Sequence, residues 1–310
     1  MRQAYCWGGG QKGQLGAGAF FDFAVEPQSV AGDHRFITIA AGRQHACGVD
    51  DTGAAWCWGD NSYGQLGDSS VKYASIPVRV AGGHVFKQLG AGAESYTTCG
   101  VTTDGAAFCW GRGVNGRGPL ARGGEIASLN SVPVKVPRLS RLRAIDPGTD
   151  VACALDTRGD VYCWGSNAFG QLGLGYPVRD TLIPTPTQRV SSDEKFVSLS
   201  VGEARACAVS RTGATYCWGL GDKQLLGVRP DDSCTDRQVS CVRSPSRVRD
   251  ASLTQVVLGP NERICGAGRY ATTAPVYCWG RDFAQPTQLV SQAKAIAIWQ
   301  PELIGTQSGR

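Results

Sequence analysis

The chain has 310 residues, of which 42% are apolar and 18% charged, and its formal net charge is +5. This composition is typical of a folded globular protein and excludes an intrinsically disordered chain, and the charge is too small to indicate a nucleic-acid partner. No run of about 18 apolar residues occurs, which excludes a membrane-spanning helix from the sequence.

The chain starts with MRQAYCWGGG, which lacks the apolar core of a secretory signal peptide. Thirteen cysteines nevertheless predict an oxidising compartment, because disulfides persist mainly outside the cytosol. We therefore expect an extracellular or periplasmic protein whose export signal is not present in this sequence. Reduced cysteines would instead indicate the cytoplasm.

A Trp-Gly pair recurs along the chain at spacings of 51 to 61 residues. A glycine-rich phrase such as GDNSYGQLG follows it, then a strand with proline and valine, a second apolar strand and a hairpin bounded by cysteines. Four short strands per repeat at this period predict a blade of a β-propeller. The pair occurs at Trp7, Trp58, Trp110, Trp164, Trp218 and Trp279. We expect Trp58, Trp110, Trp164 and Trp218 to pack between blades, because they recur at one position of the repeat, and stacking on a sugar or a base is the alternative.

The spacing of the cysteines predicts disulfide bonds across the hairpins. Around the turn Asp51-Thr52-Gly53, an antiparallel register places Cys47 opposite Cys57, close enough for a disulfide. Buried reduced thiols are the alternative, and a metal site is disfavoured because there is no CxxC and only three histidines. The same register predicts Cys99–Cys109, Cys153–Cys163 and Cys207–Cys217, and the remaining cysteines predict Cys234–Cys241 and Cys265–Cys278, with Cys6 free.

The two ends of the chain contain complementary parts of one repeat. Residues 2–8 match the last strand of a cysteine hairpin, and the segment after Trp279 supplies the strands before it, with Gly305 where the partner of Cys6 would stand. We therefore predict one all-β domain over 1–310. It is a closed propeller of six four-stranded blades in which the N-terminal strand completes the C-terminal blade.

The phrases WGDNSYGQLG and WGSNAFGQLG resemble the regulator of chromosome condensation repeat family, over essentially the whole chain. Family propellers usually have seven blades, so six is a departure: the ring is either built with six blades or derived from a seven-bladed parent that lost one. The paired upstream cysteine is similar to the exported bacterial branch of the family. The resemblance implies that Gln14, Gln65, Gln171, Leu15, Leu66 and Leu172 belong to the scaffold, the glutamines bonding neighbouring turns and the leucines filling contacts between blades.

The functional hypothesis is a non-catalytic, monomeric scaffold that binds an unidentified protein or cell-surface polymer through its blade loops. We expect no cofactor, no metal and no catalytic residue. Guanine-nucleotide exchange on a small GTPase is the alternative that the resemblance implies. A polysaccharide-acting enzyme is a second alternative, for which only Glu203, Asp231 and Asp232 are available as carboxylates.

Three sets of residues are candidates for the partner site. We expect the insertion at 229–250 in blade 5 to project, although a solvated loop without a partner explains it equally well. Residues at equivalent blade positions predict a ring on one face, and drift of an idle surface is the alternative. An aromatic loop at 16–28 is either a contact patch or a small core. The candidates are Arg237, Arg243, Arg247 and Arg249 in the insertion, Arg43, His45, Arg205 and Arg263 in the ring, and Phe20, Phe21 and Phe23 in the aromatic loop.

Overall fold

The structure is a computed structural model, and it is almost entirely β, as predicted. It describes residues 3–92, 94–112, 129–176, 182–183, 185–186, 188–230, 239–259, 262–268, 274–280, 283–293, 297–299 and 302–304. Sheets of antiparallel strands follow one another along the chain as propeller blades. Among the described residues, no helix is long and apolar enough to cross a bilayer.

We count the blades from the one that contains Trp7. In blade 1, β1 (Tyr5–Gly10) pairs with β2 (Phe21–Ser29). Blade 2 consists of β3 (Phe36–Ala41), β4 (His45–Asp50), β5 (Ala55–Gly59) and β6 (Ala74–Arg79). Blade 3 consists of β7 (Phe86–Gly90), β8 (Thr97–Thr102), β9 (Ala107–Gly111) and β10 (Asn130–Lys135). Blade 4 consists of β11 (Leu142–Pro147), β12 (Val151–Asp156), β13 (Val161–Ser166) and β14 (Leu182–Ile183).

Blades 5 and 6 share one long strand. Blade 5 consists of β15 (Phe196–Val201), β16 (Arg205–Ser210), β17 (Ala214–Leu220) and the first part of β18 (Cys241–Leu258). The second part of β18 forms blade 6 with β19 (Arg263–Gly268), β20 (Ala274–Gly280) and β21 (Phe283–Ala293). A one-turn helix, α1 (Lys223–Leu226), lies between β17 and β18. The last described strands are the pair β22 (Ala297–Trp299) and β23 (Glu302–Ile304).

The last described strands lie beside the first ones. Strand β23 is next to β1, and β22 is next to β3, the first strand of blade 2. This arrangement is compatible with a blade 1 built from both termini. Hydrogen-bonded closure of the ring stays a prediction, because among the described residues the ladder partner of β1 is β2. The position of Gly305 lies outside the described residues.

The predicted phase of the repeat was wrong by one strand. In five of the six blades the outer strand is the proline strand, so the N-terminal part of the chain supplies two strands to blade 1 instead of one. Proline lacks an N–H group and therefore suits a strand whose outer edge has no partner. Five outer strands carry it, at Pro27, Pro77, Pro133, Pro245 and Pro286. First strands of successive blades contact each other instead, β3 with β7, β7 with β11 and β11 with β15.

The hairpin disulfides are confirmed. The turn glycines have positive φ, +83° at Gly53, and the register places Cys47 opposite Cys57 and Cys265 opposite Cys278. Disulfides form at Cys47–Cys57, Cys99–Cys109, Cys153–Cys163, Cys207–Cys217 and Cys265–Cys278. Cys241 is also disulfide-bonded, and its predicted partner Cys234 lies outside the described residues. Cys6 is free and buried, and burial raises the pKa of its thiol to about 12.

The three Gly-Gln-Leu-Gly phrases connect blade 1 to blade 2, blade 2 to blade 3 and blade 4 to blade 5. The carbonyl oxygen of Gln65 in blade 2 accepts a 3.0 Å hydrogen bond from Nε1 of the buried Trp110 in blade 3. In the same way, the carbonyl oxygen of Gln14 accepts a hydrogen bond from Trp58 Nε1, and that of Gln171 accepts one from Trp218 Nε1. The glutamine side chains, by contrast, accept bonds from backbone N–H groups of their own loops. The predicted packing of these tryptophans between blades is thus confirmed, whereas the glutamine side chains bond their own turns and not the neighbouring ones.

Candidate functional site: an arginine and tyrosine surface

The loops between strands divide between two faces of the propeller. The loop face carries the connections from first to second and from third to fourth strands, such as 42–44 and 60–73 in blade 2. The turn face carries the short cysteine hairpins and the links between blades, such as 51–54 and 80–85. Long connections of variable sequence are therefore concentrated on the loop face.

Two tyrosines and two arginines from blades 2 and 3 meet on the loop face. The rings of Tyr63 and Tyr96 have centroids 5.0 Å apart. The guanidinium of Arg112 lies 4.7 Å from the Tyr63 centroid and 5.9 Å from the Tyr96 centroid, while that of Arg43 lies 5.3 Å from Tyr96. These distances are those of cation–π contacts, so each cation orders the ring that it covers. We call these four residues the Arg-Tyr surface.

A second group continues this surface toward blade 1. Lys12 Nζ donates a 3.0 Å hydrogen bond to Tyr73 Oη, and Ser62 Oγ lies 3.2 Å from the same oxygen. The hydrogen bond with Tyr73 raises the pKa of the Lys12 ammonium, and the same bond lowers the pKa of the Tyr73 hydroxyl. Tyr73 is 45% exposed, and Val71 beside it is 52% exposed. An apolar and polar margin therefore flanks the Arg-Tyr surface.

Local structure fixes both tyrosines. The Tyr63 backbone N–H donates to Gln65 Oε1 at 2.9 Å, and the buried carboxylate of Asp60 accepts from Ser62 N and Gln65 Nε2. Next to Tyr96, Ser95 Oγ donates to the Gly148 carbonyl of blade 4 at 2.9 Å. The two loops thus present their aromatic rings from a hydrogen-bonded frame, which lowers the entropy lost when a partner binds.

The predicted ring of exposed residues is wrong for His45 and Arg205, because both are buried. His45 Nε2 lies 2.9 Å from Thr98 Oγ1, which itself donates to the Gln65 carbonyl. Since that hydroxyl has one proton, His45 Nε2 must be the donor and His45 Nδ1 the unprotonated nitrogen. Burial lowers the pKa of His45 to about 4. His45 therefore belongs to the junction of blades 2 and 3.

This histidine predicts a loss of stability on acidification. The unfolded chain takes up a proton below the ordinary pKa of 6.5, whereas folded His45 does so only near 4. Its contribution is complete above pH 6.5 and falls by about 3 kcal/mol as the pH drops to 4. His45→Gln should remove this loss, so that the unfolding free energy of the variant rises relative to that of the parent by about 3 kcal/mol as the pH falls from 6.5 to 4, measured by urea titrations at a series of pH values. An unchanged slope in the variant would contradict the account. Asp146, whose burial raises its pKa to about 7, acts in the opposite direction and is present in both proteins.

The other ring positions differ from one another. Arg205 lies 3.4 Å from Glu262 across the junction of blades 5 and 6. Arg263 and Arg43 are exposed on the loop face, but only Arg43 joins the aromatic cluster. The equivalent positions therefore do not form one continuous recognition surface.

The predicted insertion at 229–250 is partly a regular strand. Residues 241–250 belong to β18, where Arg247 and Arg249 are exposed and Arg243 is half-buried, on alternate positions of one face. Arg237 lies outside the described residues. The expectation of a projecting loop is thus wrong for these three arginines, which lie on the outer strand of blade 5.

The predicted aromatic loop is also mostly a strand. Phe21 begins β2, pairs with Gly10 and packs against the core of blade 1, while Phe20 and Phe23 are exposed. Both of the expected outcomes therefore occur in one segment, since Phe21 belongs to a small core and its neighbours reach solvent.

The sequence contained signals for the residues that were missed. Tyr63 directly precedes Gly-Gln-Leu-Gly, and Lys12 and Phe169 have the same position in other repeats. Tyr96 lies between Ser95 and Thr97, which have the same repeat positions as Arg43 and His45. Variation at a fixed position before an invariant turn was the usable signal. The meeting of Tyr63, Tyr96 and Arg112 depends on the approach of three separate loops and had no local signature.

The described residues show no assembled catalytic group. No cluster of three His, Cys, Asp or Glu side chains that could hold a metal ion occurs among them. Glu203 is exposed, and the other two carboxylates proposed for polysaccharide chemistry, Asp231 and Asp232, lie outside the described residues. The arrangement that the structure does show is suited to non-covalent recognition.

Comparisons with known proteins agree with this fold. Two family models, each described as the regulator of chromosome condensation (RCC1) repeat, match residues 36–65 and 86–117, and residues 3–49, 52–97 and 158–209. The ultraviolet-B receptor UVR8 of Arabidopsis thaliana is 32% identical over 228 residues, which cover 72% of this chain and 50% of that protein. The chain thus spans half the length of this relative.

Solved structures give the same fold. The crystal structure of human WBSCR16 superposes with a TM-score of 0.72 at 17% identity, covering 94% of this chain and 78% of the other. Prp20p from Saccharomyces cerevisiae, whose structure was described together with its binding to Gsp1p and histones, superposes with a TM-score of 0.63 at 18% identity. That match covers 95% of this chain and 89% of Prp20p.

Proposed function

We propose that this chain, which belongs to the regulator of chromosome condensation (RCC1) repeat family, is a non-catalytic scaffold that holds a protein partner on its loop face. The observation that carries the proposal is the Arg-Tyr surface. Tyrosine and arginine are the side chains enriched where binding energy concentrates in protein interfaces. Here two of each meet on a face whose loops are fixed by buried hydrogen bonds.

The rigidity of the frame supports the same function. Disulfides cross the hairpins of blades 2 to 6, and indole bonds to the preceding blade hold several blade junctions. A binding site on loops loses less affinity to conformational entropy when the scaffold beneath them does not move. The disulfides also support an extracellular or periplasmic location.

Protein binding in a relative is consistent with this proposal, since the Prp20p structure was described with binding to Gsp1p and histones. Nucleotide exchange on a small GTPase is the alternative function. Disulfides across the hairpins are unusual for a protein that works beside a cytosolic GTPase, which favours the scaffold over exchange.

The experiment captures a partner from the source organism on the immobilised protein and measures its affinity for variants. Tyr96→Ala should weaken binding by about tenfold or more, as expected at an interface hot spot. Tyr5→Ala removes a tyrosine that is 50% exposed on β1 and should leave the affinity unchanged. Equal affinities for parent and Tyr96→Ala would place the partner elsewhere. Accelerated nucleotide release from a captured GTPase would establish exchange instead.

A further inference from the structure

We propose that the segment bound by the Arg-Tyr surface is an acidic stretch of the partner protein, held by the guanidinium of Arg112 and the ammonium of Lys12. The inference rests on the proposed function and specifies the chemistry of the partner.

The geometry leaves the polar edge of Arg112 as its binding element. Its Cζ atom lies over the Tyr63 ring, 4.7 Å from the ring centroid, so an aromatic surface covers one side of the cation. The N–H groups of a guanidinium point outward in its plane, away from a ring stacked on its face. Such a fork matches a carboxylate in a bidentate manner, and these charge-assisted hydrogen bonds are stronger than neutral ones.

The local charge favours an anionic ligand. Within the part of the chain that the structure describes, neither Arg112 nor Lys12 has a carboxylate at ion-pair distance. The ion pairs found there are Arg189 and Lys195 with Asp160, and Arg205 with Glu262. The nearby Asp60 is buried, and its oxygens accept hydrogen bonds from its own loop. Among the described residues, Arg112 and Lys12 therefore present positive charges without an ion-pair partner, and the buried Asp60 acts on Lys12 only through its field.

The same contacts disfavour sugars and nucleobases. Those ligands bind by stacking on open aromatic faces. At this surface Arg112 lies over Tyr63, and Arg43 and Arg112 both lie near the Tyr96 ring, so its faces are largely used within the protein. The exposed Tyr73, which accepts a hydrogen bond from Lys12, and the exposed Val71 two residues before it instead suit apolar side chains of a peptide. A protein segment that alternates carboxylates with apolar residues fits both features.

The test uses the intact protein and a fluorescein-labelled peptide of alternating glutamate and glycine, with anisotropy as the readout. The peptide of alternating glutamine and glycine is its neutral control. We expect the glutamate peptide to bind and the glutamine peptide not to bind. Arg112→Ala should weaken the binding about tenfold, and Arg112→Lys should recover only part of it because lysine lacks the fork. Arg35→Ala, an exposed arginine on the turn face, is the matched control and should bind like the parent.

Three results would overturn the inference. The first is equal binding of the glutamate and glutamine peptides. The second is an equal loss of peptide affinity in Arg35→Ala and Arg112→Ala. The third is saturable binding of a heparin hexasaccharide or a single-stranded oligonucleotide under conditions where the glutamate peptide does not bind. Thermal unfolding of each variant shows that a loss of binding is not a loss of folding. If the affinity of a captured partner falls in Tyr96→Ala but does not change in Arg112→Ala, the proposed function stands and this inference alone is wrong.

Discussion

Reduction of the disulfides should unfold the protein under conditions in which the oxidised form is stable. Each hairpin bridge closes a loop of about ten residues and contributes about 2–3 kcal/mol through the entropy of the unfolded chain. Five bridges lie among the described residues, so their combined contribution is comparable with the whole stability of a typical domain, about 5–15 kcal/mol. Tryptophan fluorescence and near-ultraviolet circular dichroism during titration with a phosphine reductant measure the loss.

The control is the same titration after alkylation of free thiols in the oxidised protein. Cys6 is buried, so alkylation without denaturant should label little and change nothing. A reduced protein that kept its near-ultraviolet spectrum and its melting temperature would show that packing alone holds the blades. The disulfides would then not be a main source of the stability of the fold.

Gly67→Ala should be among the most damaging single substitutions in the protein. A Cβ atom at this position would lie 2.6 Å from Trp110 Nε1, at a backbone φ of +69°. The buried indole cannot move away without breaking its hydrogen bond to the Gln65 carbonyl. Backbone strain and overpacking together predict a loss of about 2–5 kcal/mol in the free energy of unfolding, measured by urea denaturation.

Gly83→Ala separates the two causes. Gly83 also has positive φ, at +64°, but an added Cβ would meet nothing within 4 Å. This variant should therefore lose only the backbone contribution, about 1–2 kcal/mol. Equal losses in the two variants would show that contact with Trp110 does not matter. The Gly-Gln-Leu-Gly phrase would then be a turn signal and not a junction between blades.

Local features of the sequence were enough to predict the hairpins. Opposed cysteines ten residues apart, a turn glycine and a following Trp-Gly determine the register of two adjacent strands within a few residues. The phase of the blade was not accessible in this way. A repeat has no marked beginning in sequence, and only strand pairing shows that the proline strand is the outer edge of its blade.

The functional surface was harder to predict, because burial depends on neighbouring blades. Position alone made His45 equivalent to exposed residues, yet Thr98 of the next blade provides a hydroxyl that holds it inside. Arg112 and Tyr96 were overlooked for the opposite reason, since neither stands out within its own repeat. They become a site only when the curvature of the propeller brings the loops of blades 2 and 3 together.

The most direct test of a binding scaffold with its site on the loop face is hydrogen–deuterium exchange of the protein with and without its captured partner. The account predicts protection in 42–44, 60–73 and 94–96 on the loop face. It also predicts unchanged exchange in 51–54 and 80–85, which lie on the turn face of the same blades. Protection confined to the turn face, or to the outer strand at 241–250, would contradict it.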